Sequence, residues 1–348
     1  MIFTSDNAFG TSPEILDALA RVNVGGAASY GADDVTTRLQ KKFSEIFERD
    51  VAVFPVATGT AANSLALATL TPPYGAIYCH EFAHVNVDEC GAPEMFTGGA
   101  KLVGLSGAGG KIDADALAVK LSLLRKGDVH QVVPSALTIT QSNESGSVYT
   151  LAELRRLTEL ARKYGLSTHM DGARFANALV SLGCTPAEMT WKVGIDVLSF
   201  GATKNGAMAA EAVIFFDPAK VGDFVFRRKR AGHLFSKMRF LSVQLEAYLE
   251  KDLWLRNARH ANAMSKRLAD GLLAVDGVTL GSPVEANEVF VRLPIDLFHR
   301  LSKSSAAFYP WDNAEDAQEG HVRQLVRLVT SFATSEAEVD RFIALARG

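Results

Sequence analysis

The chain is expected to adopt an α/β fold, with a mostly parallel central sheet covered by helices on both faces and a small C-terminal α+β domain. Three observations lead there. Between residues 51 and 216, short apolar strand-like runs alternate with helical patterns. Beyond residue 217 the alternation stops, and long helical patterns precede a few more strand-like runs. Two of the earlier runs end in turns that each carry a charged residue, Asp171 and Lys204.

The elements follow in order. Val51–Val56 is a β-branched and aromatic run, and Thr60–Leu70 reads as a helix with Ala61, Leu65 and Ala68 along one face. Ala76–Cys79 and Lys101–Leu105 read as short buried strands, Asp113–Leu124 as a helix, and Val132–Thr140 as an extended stretch. Thr150 and Glu153 form a capping box that opens a helix to Tyr164, with Leu151, Leu154, Leu157, Leu160 and Ala161 on its buried side. A Leu166–Met170 strand, a helix from about Arg174, and strands at Ile195–Phe200 and Ala212–Phe216 complete the alternation. Helical patterns then fill 217–275. Strand-like Val278–Leu280 and Glu288–Leu293, a helix near 295–302, strand-like Val322–Val329 and a terminal helix capped by Ser335 and Glu338 form the second part. The expected division is a large domain over 1–250, whose N-terminal segment serves both site and interface, and a small domain over 251–348.

At 348 residues, 48% hydrophobic and 22% charged, the chain has the make-up of a globular protein. A net charge of −3 offers no electrostatic footprint for nucleic acid or an anionic membrane. No apolar run approaches the ~20 residues of a membrane span, and the N-terminus has no secretory pattern. Three cysteines, Cys79, Cys90 and Cys184, without a CxxC spacing agree with a reduced, cytoplasmic setting.

An acid and a lysine at two strand ends suit pyridoxal phosphate. The lysine amine condenses with the aldehyde, and the acid keeps the pyridine nitrogen protonated. Thr58-Gly59-Thr60 follows a strand and opens a helix, so Gly59 and Thr60 form a candidate phosphate cup; a plain helix cap is the alternative. His80-Glu81-Phe82-Ala83-His84 matches HExxH, the helical zinc-hydrolase spacing, but His80 directly follows a strand. No metal is expected. His84 alone suits stacking on a pyridine ring and proton transfer, and His80 a structural role. Arg174, just after Asp171, suits a substrate carboxylate. Arg327, a charge inside the apolar strand Leu325–Val329, either joins it or faces water from an edge. Glu144, in another strand-end turn, is either a general base or a solvated loop acid.

In this order the residues resemble the low-specificity L-threonine aldolases, within the β-eliminating-lyase branch of fold-type-I pyridoxal-phosphate enzymes. The resemblance runs through Ser5-Asp6-Asn7, Tyr30-Gly31, Thr58–Asn63, His84, Glu89, Asp171–Arg174, Thr203–Asn205 and Val326–Thr330. It implies Lys204 as the cofactor-bearing lysine, Asp171 as the pyridine-nitrogen partner, His84 as the stacking histidine, and Gly59, Thr60 and Thr203 near the cofactor. Ser5, Arg174 and Arg327 are implied as ligands of the substrate carboxylate. Tyr30 is implied as a residue lent across a subunit interface, and Lys229 or Arg239 as a neighbour's contact to the phosphate. The implied reaction cleaves β-hydroxy-α-amino acids to glycine and an aldehyde, in a homotetramer with sites at dimer interfaces. Many family members carry a second histidine where this chain has Glu144. Another pyridoxal-phosphate lyase or an aminotransferase is the alternative within the fold, and a zinc hydrolase through His80, Glu81 and His84 the alternative outside it.

Overall fold

A computed structural model describes residues 1–348 apart from 126, 312–315 and 319–320. The apolar runs form seven strands of one sheet: β1 (Ala52–Val56), β2 (Gly75–His80), β3 (Lys101–Leu105), β4 (Val133–Thr140), β5 (Ser167–Gly172), β6 (Val197–Gly201) and β7 (Glu211–Phe215). Their order is β1-β7-β6-β5-β4-β2-β3. Neighbours from β3 to β6 run parallel, as expected, whereas β7 is antiparallel to both β6 and β1. The chain from β6 to β7 is too short for a crossover helix, so it can only fold back beside its predecessor. That fold-back is the turn that carries Lys204.

The helices, in chain order, are α1 (Pro13–Val22), α2 (Asp34–Ile46), α3 (Gly59–Leu70), α4 (His84–Val87), α5 (Ala92–Thr97), α6 (Ala114–Ser122), α7 (Leu151–Lys163), α8 (Phe175–Leu182), α9 (Pro186–Met189), α10 (Phe224–Arg230), α11 (Arg239–Leu249), α12 (Leu253–Leu273), α13 (Ile295–Ser302) and α14 (Glu336–Arg347). Sequence reasoning had no expectation for α1 and α2. Helix α3 is buried nearly all round, not along one face: Ala61, Ala62, Leu65, Ala66, Leu67 and Ala68 are all inside. It lies between strands β6 and β7 and helices α5 and α10, and alanines let all of them approach. The capping boxes of α7 and α14 form as expected.

The second sheet contains β8 (Thr279–Leu280), β9 (Glu288–Pro294), β10 (Tyr309–Pro310), β11 (Asp316–Gln318) and β12 (His321–Val329), all antiparallel. Val289, Val291, Leu293, Val326 and Leu328 point into a core with Phe3, Leu268, Leu272 and Phe342. Alternation along the strands sends Glu288, Phe290 and Arg327 to the opposite face. Helix α12 joins the two sheets, packing on α8 as well as on α14 and β9. Residues 1–4 are tied to the second sheet through bonds between Phe3 N and the Ala307 carbonyl and between Val329 N and the Phe3 carbonyl. The next residues then enter the crevice between the sheets.

Candidate active site

The carboxyl ends of β4, β5 and β6 lie side by side: Thr140 is opposite Asp171, and Asp171 is opposite Ser199. Ligands of open α/β sheets bind beyond such ends. A cavity of about 380 Å³ opens there, and Gly59, Thr60, His84, Glu144, Asp171, Arg174, Thr203 and Lys204 all line it.

Asp171 is buried and fixed from two sides. The Ala173 amide donates to its Oδ1 at 3.0 Å and Asn63 Nδ2 to its Oδ2 at 2.7 Å. Asn63 Nδ2 also donates to Glu89 Oε1 at 2.9 Å, and that oxygen lies 2.8 Å from His84 Nδ1. His84 is therefore tethered to Asp171 through Glu89 and Asn63. The bond to Glu89 holds the His84 pKa above its ordinary value, against the opposing effect of burial, and the Asp171 charge adds to it. Burial raises the Glu89 carboxyl. Behind Asp171, His169 lies between Thr138 Oγ1 at 2.8 Å and Ser199 Oγ at 2.9 Å, and burial pushes its pKa down to about 4.

Glu144 Oε1 accepts the backbone N–H of His84 at 2.7 Å, which fixes the start of α4. Burial, with Asp171 nearby, pushes the Glu144 carboxyl up to about 7. Glu211 also faces the cavity, accepts the Ala202 N–H at 2.9 Å, and is pushed up to about 7 by burial.

At the opposite wall Thr58 caps α3 by accepting the Ala61 N–H at 3.2 Å, leaving the Gly59 and Thr60 amides at the open end of the helix. Space for a Cβ at Gly59 is empty within 4 Å. This is an anion-binding arrangement.

Arg174 forms a forked pair with Asp6, Nε to Oδ2 at 2.8 Å and Nη2 to Oδ1 at 3.1 Å. Arg327 does not line the cavity. Its Nη2 donates to the Thr4 carbonyl at 3.3 Å, and its guanidinium lies 4.4 Å over the Trp311 ring. Glu288 stands between the two arginines, 3.4 Å from Arg174 and 3.9 Å from Arg327. Ser5 caps the turn Asp6–Ala8 through the Asn7 amide, and Asn7, not Ser5, is on the cavity wall.

Tyr30, Lys229 and Arg239 also stand off the cavity wall of this chain. Tyr30 is exposed with Lys229 Nζ 4.5 Å over its ring, and Arg239 Nη2 donates to the Gly25 carbonyl. His80 ends β2, where its Nδ1 accepts the Phe82 amide and its Nε2 lies 3.2 Å from the Gly107 carbonyl. His84 begins α4, so the HExxH pair does not share a helix face.

Sequence reasoning gave no role to Asn63, Glu89, Asp6, Glu211 or Glu288, although the first three fall in the quoted motifs. Glu288 carried a signal related to that of Arg327, a charge as the first residue of an apolar strand.

Known proteins resemble this chain in sequence and in architecture. A sequence model of the family described as beta-eliminating lyase matches residues 3–295. The low specificity L-threonine aldolase of Pseudomonas sp. (strain NCIMB 10558) is 43% identical over 98% of this chain and 96% of its own. That of Pseudomonas aeruginosa is 45% identical over 88% of each. The solved threonine aldolase of Leishmania major superimposes with a TM-score of 0.91 at 30% identity, covering 99% of this chain and 98% of its own. Serine palmitoyltransferase of Sphingomonas wittichii, 14% identical with a TM-score of 0.71 over 100% of this chain and 86% of its own, shares the fold. By sequence and by architecture, the chain belongs to the beta-eliminating lyase family.

Proposed function

We propose that this protein is a pyridoxal-phosphate-dependent aldehyde-lyase. It cleaves L-threonine, L-allo-threonine and related β-hydroxy-α-amino acids such as phenylserine to glycine and an aldehyde. The observation that carries the reading is Lys204 and Asp171 on adjacent strand ends, facing one cavity, in a chain so similar to threonine aldolases.

The donors around the cavity fit the cofactor: free helix-start amides, an amine, a fixed carboxylate and a histidine. When bound, pyridoxal phosphate supplies an aldehyde that condenses with an amine and a cationic ring that takes up an electron pair. Lys204 offers the amine. Asp171, held by Asn63 and the Ala173 amide, presents its carboxylate to the ring nitrogen. The Gly59 and Thr60 amides would hold the phosphate, Thr203 would lie near the cofactor, and His84 would stack on the ring. Arg174, the arginine on the cavity wall, would grip the substrate carboxylate and so orient the bond to be broken, with Ser5 and Arg327 standing off that wall. A base beside His84, acting directly or through water, accepts the β-hydroxyl proton. Glu144, on the same cavity wall, is the candidate for that base.

The proposed assembly is a cytoplasmic homotetramer in which Tyr30 and Lys229 or Arg239 complete a neighbour's site; the exposure of Tyr30 and Lys229 supports this. No described helix is long and apolar enough to cross a membrane. We take residues 1–250 as the cofactor domain and 251–348 as the small domain, the division falling in the turn Glu250–Asp252 that precedes α12.

The test is chemical. The pure protein should show the cofactor's visible absorbance, which shifts on adding glycine, and threonine should yield glycine and acetaldehyde. Borohydride reduction and peptide mapping should label Lys204, and Lys204→Ala should lose both label and turnover. A keto-acid product, or a label on Lys192 or Lys220, contradicts the reading.

A further inference from the structure

Four ionisable side chains cluster beside the cavity. Asp6 is satisfied: it accepts both arms of Arg174, and Asn287 Nδ2 donates to its Oδ2 at 3.0 Å. Glu288 is not. Its side chain is fully buried, yet neither oxygen makes a hydrogen bond with a described residue, and its contacts to Arg174 and Arg327 are long, at 3.4 and 3.9 Å. With both acids ionised, the two arginines are already balanced, two positive against two negative. A ligand carboxylate docking at Arg174 brings a third negative charge beside two buried carboxylates. Like charges crowded this way favour neutralising one of them.

Asp6 is poorly placed to give up its charge. Burial opposes its ionisation, but Arg174, Lys204 and Asn287 together hold its pKa below the ordinary value. Glu288 has the fewest bonds to lose, and burial raises its pKa even beside two guanidiniums. The other charges facing Glu288 are Lys204, which favours the ion, and Asp6, which opposes it. Farther out, Glu144 acts on Arg174 and Asp88 on Arg327.

Resting on the reading of Arg174 as the substrate-carboxylate anchor, we propose that Glu288 takes up a proton from solvent when a carboxylate ligand docks, so that the ligand's charge replaces its own on the arginine pair. Glu288 is then a positioning residue. In the free site it stands between the two guanidiniums, and in the occupied site it releases them. Binding of a carboxylate should therefore tighten as pH falls.

The test uses the holoenzyme and 3-hydroxybutyrate, which has the substrate's carboxylate and hydroxyl but no amine to react at the cofactor. Proton uptake is read with an indicator dye in weakly buffered solution at saturating ligand. Wild type should take up about one proton per site and bind about tenfold more weakly per pH unit where Glu288 is ionised in the free protein. Glu288→Gln should bind with almost no uptake and a flat pH dependence. Binding to wild type without uptake overturns the proposal, as does undiminished uptake in Glu288→Gln, which would assign the proton to Glu144 or Glu89.

If Glu288→Gln does not fold, infrared difference spectra of wild type decide: ligand should bring up the carbonyl band of an un-ionised carboxyl, and its absence overturns the proposal. Glycine separates the two readings. Loss of the glycine-induced absorbance change would refute the proposed function. A normal change with no proton uptake by 3-hydroxybutyrate would refute only the role of Glu288.

Discussion

Arg174→Ala is predicted to destabilise the fold, not only to weaken substrate binding. The guanidinium is forked to Asp6, which is 2% exposed, and lies against Glu288, which is 1% exposed. Removing one partner of a buried pair costs about 3–5 kcal/mol, because the other charge stays behind. Glu288, its pKa already raised by burial, can escape by protonation, so the deficit is assigned to Asp6 alone. With a urea m-value of about 3 kcal/mol per molar, the midpoint should fall by roughly 1–1.7 M. The sign of the pH dependence follows from Asp6. Its folded pKa is depressed below 3.8, so its stabilisation is present above that value and lost as pH falls through the folded pKa. The gap between wild type and Arg174→Ala should be full near neutral pH and close below about pH 4. Urea unfolding followed by circular dichroism at both pH values measures it. A deficit under about 1 kcal/mol, or one that does not change with pH, would refute the reasoning.

Asp171→Asn should retain cofactor absorbance but lose most turnover, since an amide cannot balance a ring cation by charge; near-normal kcat would remove Asp171 from that position. Glu144 is pushed up to about 7, so if its ionised form is the base, kcat/KM should climb as pH rises through that value. Glu144→Gln should abolish this limb and lower the plateau by about 10²–10⁴-fold, and an unchanged profile would leave Glu144 only its bond to the His84 amide. Asn63→Ala removes donors from two buried carboxylates at once, at about 1.5–3 kcal/mol each, and a thermal scan should show a drop of several degrees. Chelators should leave turnover intact, because His80 and His84 sit on different elements; zinc-dependent loss and rescue would reverse that view.

The strands at Ala76–Cys79 and Val132–Thr140 were legible because continuous apolar runs are what a sheet buried on both faces requires. Val51–Val56 and Lys101–Leu105 are strands at the two edges of the sheet, and Lys101–Leu105, expected to be buried, has only Leu105 inside because no strand covers its outer side. The capped helices α7 and α14 were legible because a capping box is a local device. Lys204 and Asp171 stood out because each is a charge directly after such a run.

Sequence alone determined these elements and the chemical types at their ends, since both depend on neighbours within a few residues. Tertiary structure decided the rest. Strand order brings Thr140, Asp171 and Ser199 level, and α3 carries Asn63 to a distance that spans Asp171 and Glu89. The N-terminal segment is tied to the second sheet and brings Asp6 onto Arg174, 168 positions away in the chain. Strand alternation turns Glu288 and Arg327 to the same face, where Glu288 lies beside Arg174 as well. Such pairings have no spacing to read, because they are set by which buried charges can find a partner once the two cores have packed.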